Sequence, residues 1–82
     1  MELHMCKVFD EGIGDWIDLG VFSTSAKAES AGTEYIEIAC ENVEATLIDW
    51  ENDVNVSTHW YQTPGGRIFT RVVTKCELDK GL

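Results

Sequence analysis

Short runs of alternating apolar and polar residues dominate the chain, which is the pattern of half-buried β-strands. Residues 3–9 are rich in apolar side chains, and a polar, glycine-bearing segment separates them from a second run at 16–22. These two runs predict a β-hairpin. In the second run, Ile17, Leu19 and Val21 alternate with Asp18 and Gly20, so we expect the three apolar side chains to face a core.

A helical repeat follows this hairpin. Ser23, Thr24 and Ser25 carry hydroxyls that can cap the first turn of a helix. The pattern ends near Asn42, a residue that tolerates the left-handed backbone conformation found after many helices. Winding the segment at about 100° per residue collects small and apolar residues on one side. That side comprises Ala28, Ala31, Gly32, Tyr35, Ile36, Ala39 and Val43.

Three more strands complete the pattern, at residues 45–51, 54–61 and 67–76. Between the last two lies Thr63-Pro64-Gly65-Gly66, in which proline and glycine supply the backbone angles of a type II turn. The chain is therefore predicted to be a single α+β domain over residues 1–82 with the order ββαβββ. We expect an antiparallel sheet of about five strands with one helix packed on one face.

Charge is distributed unevenly along this pattern. The formal net charge is −9, with −11 in residues 1–53 and +2 in residues 54–82. An acidic protein repels DNA, RNA and anionic membranes, so direct binding to them is not expected. No apolar run approaches the length of about 20 residues that crosses a bilayer. A basic protein surface is the partner that this charge favours.

The acidic residues of the predicted helix cluster opposite its apolar side. Glu34, Glu37, Glu41 and Glu44 fall within about 80° of arc, and no lysine or arginine lies three or four residues from any of them. We expect these four glutamates to contact a basic partner, supported by acidic residues of the next strand and turn. The alternative is a solvated helix face on an acidic protein. The supporting residues are Asp49, Glu51 and Asp53.

The predicted sheet offers a second surface. If Ile17, Leu19 and Val21 face the helix, then Trp16, Asp18 and Phe22 face away from it. Exposed aromatic side chains often anchor interfaces, so this face is a possible homodimer interface. The alternative is that the second hairpin, formed by the strands at 54–61 and 67–76, curls over these residues and makes a core on both sides of the sheet.

Candidate catalytic and metal-binding patterns are weak. The acidic segment 49–55 has oxygen ligands at alternate positions, but Val54 stands where a calcium loop needs glycine and Trp60 where it needs glutamate. The histidines and cysteines lack the spacing of a zinc site, so we expect no metal and no cofactor. An enzymatic alternative requires an unusually reactive thiol at Cys40 or Cys76.

The cysteines and the first residues of the chain bear on its compartment. Cys6, Cys40 and Cys76 are odd in number and widely spaced, and the first residues lack the pattern of a signal peptide, so we expect reduced thiols and a cytoplasmic location.

The last strand carries a basic strip that could hold single-stranded nucleic acid beside aromatic residues. Pairing with the acidic helix, or solvation, is the interpretation that the net charge favours. The strip comprises Arg67, Arg71 and Lys75, with Trp60 and Tyr61 as the aromatic residues.

One segment is similar to known proteins. The run from Gly20 to Glu29, GVFSTSAKAE, resembles the strand-to-helix junction G-V-F-S-T-x-x-K-A-E of small, mostly uncharacterised phage and bacterial ββα-type domains. The resemblance covers about residues 3–53 and implies a phage-type accessory protein. It extends to small acidic inhibitors of host defence, including anti-CRISPR and anti-restriction proteins. The resulting hypothesis is a non-enzymatic inhibitor that blocks a nucleic-acid-binding site of a host defence complex in the host cytoplasm.

Overall fold

The computed structural model describes residues 2–41 and 43–77, and these residues form five strands and one helix in the predicted order. Every neighbouring pair of strands is antiparallel, and all five belong to one sheet with the order β2-β1-β5-β4-β3. The predicted α+β class is therefore confirmed. The elements are β1 (Glu2–Asp10), β2 (Asp15–Phe22), α1 (Ser25–Cys40), β3 (Thr46–Asn52), β4 (Val56–Gln62) and β5 (Ile68–Glu77).

The core lies between α1 and the central strands of the sheet. Val8 of β1 and Phe69 of β5 are completely buried against Ile36 and Cys40 of the helix. The second predicted hairpin, β4–β5, lies in the same sheet, in which β5 pairs with β1 and β3 lies beyond β4. The alternative in which this hairpin curls over the other face to form a second core is therefore wrong.

A β-bulge in β2 changes the side to which its later residues point. Lys7 pairs with Asp18 and Cys6 pairs with Gly20, so Leu19 is an extra residue without a partner in β1. Gly20 has a φ of +108°, a conformation that residues with a side chain rarely adopt. A single inserted residue reverses the alternation of every residue after it.

The predicted directions of Val21 and Phe22 are wrong for this reason. Val21 pairs with Met5 on the face without the helix and is 56% exposed. Phe22 pairs with His4 and packs against the cluster of Cys6, Ala28 and Val73 beneath α1. Phe22 is thus part of the core and is not available for a sheet-face interface.

Helix α1 begins and ends at residues close to the predicted ones. Thr24 is the N-cap, and its hydroxyl accepts a hydrogen bond of 3.2 Å from the amide of Lys27. The helix ends at Cys40, and the following Glu41 has a φ of +54°. Asn42, the predicted end, lies outside the described residues. The buried side of the helix consists of Ala28, Gly32, Ile36 and Cys40.

An arginine of β5 lies between the sheet and the helix. Arg71 is 6% exposed, and its Nη1 donates to Thr33 Oγ1 at 2.8 Å and to the Glu29 carbonyl at 3.4 Å. Gly32 makes room for it, because a Cβ at that position would lie 2.5 Å from Arg71 Cδ and 3.1 Å from Cys6 Sγ. The helix therefore rests on the aliphatic part of the arginine and is hydrogen-bonded to its guanidinium group.

A buried carboxylate joins four parts of the chain at the far end of β1. Asp10 is 1% exposed and forms a two-pronged ion pair with Arg67, with Nη2–Oδ2 at 2.6 Å and Nε–Oδ1 at 3.0 Å. The amide of Gly12 donates to Oδ1 at 2.9 Å, and the hydroxyl of Tyr35 donates to Oδ2 at 3.1 Å. The carboxylate thus connects β1, the following turn, helix α1 and the loop before β5.

The pKa of Asp10 reflects these contacts. Burial alone would raise the pKa of this carboxyl, but hydrogen bonds from Arg67, Gly12 and Tyr35 more than offset that effect and hold it below its ordinary value. Burial, together with the hydrogen bond to Asp10, raises the pKa of Tyr35. Asp10 is therefore charged at neutral pH and the tyrosine is its donor.

Replacing Gly32 with alanine tests the contact between helix and sheet. Alanine favours helices by about 1 kcal/mol over glycine, but here its Cβ would collide with Arg71. We expect Gly32→Ala to lower the free energy of unfolding by about 1–3 kcal/mol in urea denaturation, because overpacking outweighs helix propensity. Ser30→Ala, on the exposed side of α1, should change it by less than about 0.5 kcal/mol. Equal effects of the two substitutions would contradict the close approach.

Removing the charge of Asp10 tests the buried ion pair. Asp10→Asn leaves Arg67 without its carboxylate and should cost about 2–3 kcal/mol at pH 7. Because folding lowers the pKa of Asp10, the wild type should lose this stabilisation as the pH falls from about 4 through the lowered value. The unfolding free energies of the two proteins should therefore converge in acid. Asp15→Asn, at an exposed position, is the control, and parallel pH curves for Asp10→Asn and the wild type would refute the role of the charge.

Candidate protein-interaction site

Helix α1 covers only part of the sheet. It packs on β1, β5 and β2, and among the described residues no α carbon of the helix lies within 8 Å of one in β3 or β4. One side chain bridges this gap, since Tyr61 of β4 packs against the core cluster that contains Ile36 and Cys40. The helix side of β3 and β4 is therefore left open beside the helix.

A groove runs along the boundary between the helix and this open region. Its apolar surface comes from Ile36 and Cys40 of α1, from Tyr61 of β4 and from Val43 and Ala45 of the connecting segment. Three glutamates line the same groove, and all three are exposed. We call this feature the α1–β4 groove; the three glutamates are Glu37, Glu41 and Glu44.

The outermost strand extends the apolar surface. Leu47 pairs with Tyr61 and Trp50 pairs with His59, so both side chains lie on the helix side of the sheet. They are 42% and 61% exposed. Large apolar residues that are exposed next to one another commonly mark an interaction site. We call Leu47 and Trp50 the β3 patch.

The acidic residues predicted to act together lie in three places. Glu37, Glu41 and Glu44 line the groove, and Glu34 is exposed on the helix close to Glu37. Asp49 and Glu51 alternate with Trp50 and therefore lie on the face without the helix. Asp53 follows β3 and lines a depression with Ser23, Thr24 and Ser25 at the start of α1. The predicted set is thus divided, and only the glutamates of the helix and its C-terminal extension share a surface.

Among the described residues, no cation lies within 4.0 Å of the carboxylates of those glutamates. Within residues 2–41 and 43–77, the carboxylates that form ion pairs within 4.0 Å are those of Asp10 and Glu2, with Arg67 and Lys75. Arg71 is buried beneath the helix, so the predicted basic strip of Arg67, Arg71 and Lys75 is not a continuous surface. The remaining described lysines lie away from the groove, Lys7 over the Trp16 ring and Lys27 beside Ser23.

The face without the helix carries a smaller apolar area. Trp16 packs edge-on against Phe9, with 5.3 Å between ring centres, and remains 44% exposed. Asp18 lies opposite Lys7 on the same face, and both are exposed. Trp16 and Asp18 therefore have the positions predicted for them. Met5 and Val21, which were not predicted to be there, are exposed beside them.

The thiols and histidines show the effects of burial. Burial raises the pKa of Cys6 and of Cys40, so both are protonated near neutral pH and are poor nucleophiles. Burial and the charge of Arg71 lower the pKa of His59, which stays neutral at pH 7. In the part of the chain that the structure describes, no three histidine, cysteine or carboxylate side chains are grouped as a metal site needs. The described helix is too short and too polar to span a bilayer.

Sequence reasoning missed the β3 patch and the floor of the groove. Simple alternation would put Leu47 and Trp50 on opposite faces, but a bulge between Leu47 and Asp49 leaves Ile48 outside the regular pairing and brings both to the helix side. The remaining features depend on strand order, which makes β3 an edge strand whose helix side no described helix covers. The alternation of residues 45–51 indicates a strand but does not indicate its neighbours.

Comparisons of this chain with protein-family models, with curated proteins and with solved structures found no match. The similarity of Gly20–Glu29 to the junction of phage and bacterial ββα-type domains therefore stays a prediction. The geometry of the α1–β4 groove and the charges around it are the basis for assigning a function.

Proposed function

We propose that the protein is a non-enzymatic binding domain that presents carboxylates to a basic surface of a partner protein. The observation that carries this proposal is the group of Glu37, Glu41 and Glu44, which line an apolar groove with no cation within 4.0 Å among the described residues. Like-charged neighbours on a helix destabilise it slightly, so an uncompensated group of this kind is a cost that binding a basic partner relieves.

The mechanism is competition for lysine and arginine side chains. Groups that hold nucleic-acid phosphates also bind carboxylates, often through paired hydrogen bonds. On this proposal, the partner is a nucleic-acid-binding protein, and the bound glutamates occupy the place of phosphates. Long-range attraction would speed the encounter at low ionic strength and would be screened by salt.

The identity of the partner is a further part of the proposal. The junction at Gly20–Glu29 resembles phage domains, and by extension small acidic inhibitors of host defence. We therefore propose a bacterial defence complex that binds nucleic acid, such as a CRISPR effector, as the target, and the host cytoplasm as the place of action. We place the contact on the helix side of the molecule, because Glu37, Glu41 and Glu44 share a surface there whereas Asp49 and Glu51 lie on the other face.

Charge reversal separates the two acidic groups. We expect the wild type to release labelled duplex DNA from a purified RNA-guided effector complex, measured by fluorescence anisotropy. Glu37→Lys with Glu41→Lys should abolish this release, because it reverses the charge beside the groove. Asp49→Lys with Glu51→Lys changes the net charge by the same amount on the other face and should leave the release intact.

Salt provides the second readout of the same assay. Affinity of the wild type for the effector should fall by roughly tenfold or more between about 50 and 200 mM salt. Equal loss of release in both double variants would show that net charge alone matters and would contradict a located site. Failure of the wild type to release DNA would overturn the defence-complex proposal.

A second candidate function is self-association through the face without the helix. Met5, Trp16 and Val21 are all exposed there, and Lys7 lies opposite Asp18. A two-fold axis would let these two residues exchange ion pairs between copies while the apolar residues pack together. This arrangement would make the protein a homodimeric accessory domain whose acidic groove stays free.

Sedimentation velocity tests the homodimer. The wild type should sediment as a dimer at concentrations of roughly 100 μM, and Val21→Lys should make it a monomer by placing a charge in the interface. Val54→Lys, in the exposed turn between β3 and β4, is the matched control and should remain dimeric. A wild type that is monomeric at every concentration would exclude this candidate.

A further inference from the structure

The open region beside α1 has the dimensions of a second helix. An α-helix with its side chains is about 10–12 Å across, and neighbouring strands lie about 4.8 Å apart. Helix α1 occupies the side of β2, β1 and β5, which leaves the width of two strands, about 10 Å, uncovered on the same side. One more helix would complete the layer.

The residues in that region suit the apolar side of a helix. Tyr61 lies at its inner boundary, where it also packs against the core, and Leu47 and Trp50 lie at its outer boundary. Together with His59, the half-buried partner of Trp50, they form a floor from the α1–β4 groove to the edge of the sheet. An amphipathic helix that binds in a groove buries apolar side chains at intervals of three or four residues against a floor of this kind.

The charges beside the floor determine which residues suit the polar side of that helix. Glu37, Glu41 and Glu44 lie at the end where α1 terminates, and no described cation lies within 4.0 Å of their carboxylates. The two described arginines are bound to other groups, Arg67 to Asp10 and Arg71 to Thr33. A bound helix should therefore place lysine or arginine beside the C-terminal end of α1.

Other occupants fit less well. A second copy would bring the exposed Glu34 and Glu37 of its own helix against the same acidic residues. A strand added to the free edge of β3 would meet the bulge at Ile48, which interrupts the regular row of hydrogen-bonding groups. Asp49 and Glu51 in the same strand would further repel an identical edge.

We infer that the α1–β4 groove and the β3 patch together bind a basic amphipathic helix of a partner protein. The inference rests on the proposed function and adds the form of the partner element and the residues that recognise it. Trp50 and Leu47 contact the apolar side of the helix, while Glu37, Glu41 and Glu44 contact its basic side.

A designed peptide tests this inference without a known partner. The probe is a synthetic leucine–lysine peptide of about 18 residues with helical periodicity, which spans about 27 Å when helical. One control peptide has the same composition in an order without helical periodicity. A second control keeps the periodicity and replaces lysine with glutamate. Binding to the full chain is measured by titration of ¹H–¹⁵N NMR spectra.

The expected result is binding of the periodic basic peptide alone, with shifts at the Trp50 indole and at the amides of Cys40 and Tyr61. Met5 and Val21, on the other face, should not shift. Trp50→Ala should weaken binding about tenfold or more, since a large aromatic side chain that binding buries commonly contributes that much. Trp16→Ala removes an exposed tryptophan from the other face and should change the affinity by less than about twofold.

The possible failures are distinguishable. Equal binding of the two basic peptides, unaffected by Trp50→Ala, would overturn the helix-binding groove and leave the acidic contact of the proposed function in place. Equal binding of the glutamate peptide would contradict both, because charge would then play no part. Binding of none of the peptides would overturn the inference, while the proposed function is decided separately by the release of DNA from the effector.

Discussion

The ion pair between Asp10 and Arg67 holds together the end of the molecule on which the groove depends. Its carboxylate also accepts hydrogen bonds from Gly12 and Tyr35, so one buried group fixes the first turn, the helix and the last loop relative to β1. A buried charge is costly without partners, and here every partner comes from a different part of the chain. Together with the packing of Ile36 and Cys40 in the core, this contact positions the C-terminal half of α1 and with it Glu37 and Glu41.

The surface is acidic in part because the fold engages two arginines in internal contacts. The chain has six basic residues, and the fold turns Arg67 toward Asp10 and Arg71 toward the underside of the helix. Neither arginine forms an ion pair within 4.0 Å with the exposed glutamates among the described residues of α1. The negative surface is thus a consequence of how the core is built as well as of composition. A basic partner would supply the positive charges that the fold uses internally.

The predicted elements agree closely with the structure, whereas the predicted faces agree only in part. Runs of alternating residues and a capped helical repeat are local patterns, so the order ββαβββ and the exposure of Glu34, Glu37 and Glu41 could be predicted. A single unpaired residue in β2 exchanged the faces on which Val21 and Phe22 lie. The adjacent Gly20 is the one local feature that indicates such a bulge. The grouping of Asp49 and Glu51 with the helix glutamates failed because the two sets lie on opposite sides of the sheet.

The sequence by itself determined the elements, the single helix and the separation of its acidic and apolar sides, because each depends on residues within a few turns or one strand. Tertiary structure alone decided that β1 and β5 are central, that α1 leaves β4 and β3 uncovered, and that Trp50 is exposed beside the groove. These features depend on strand order and on contacts between residues far apart in the chain, such as Asp10 with Arg67 and Arg71 with Gly32. Periodicity indicates which side of an element is apolar, but the element that packs against that side is decided by tertiary structure.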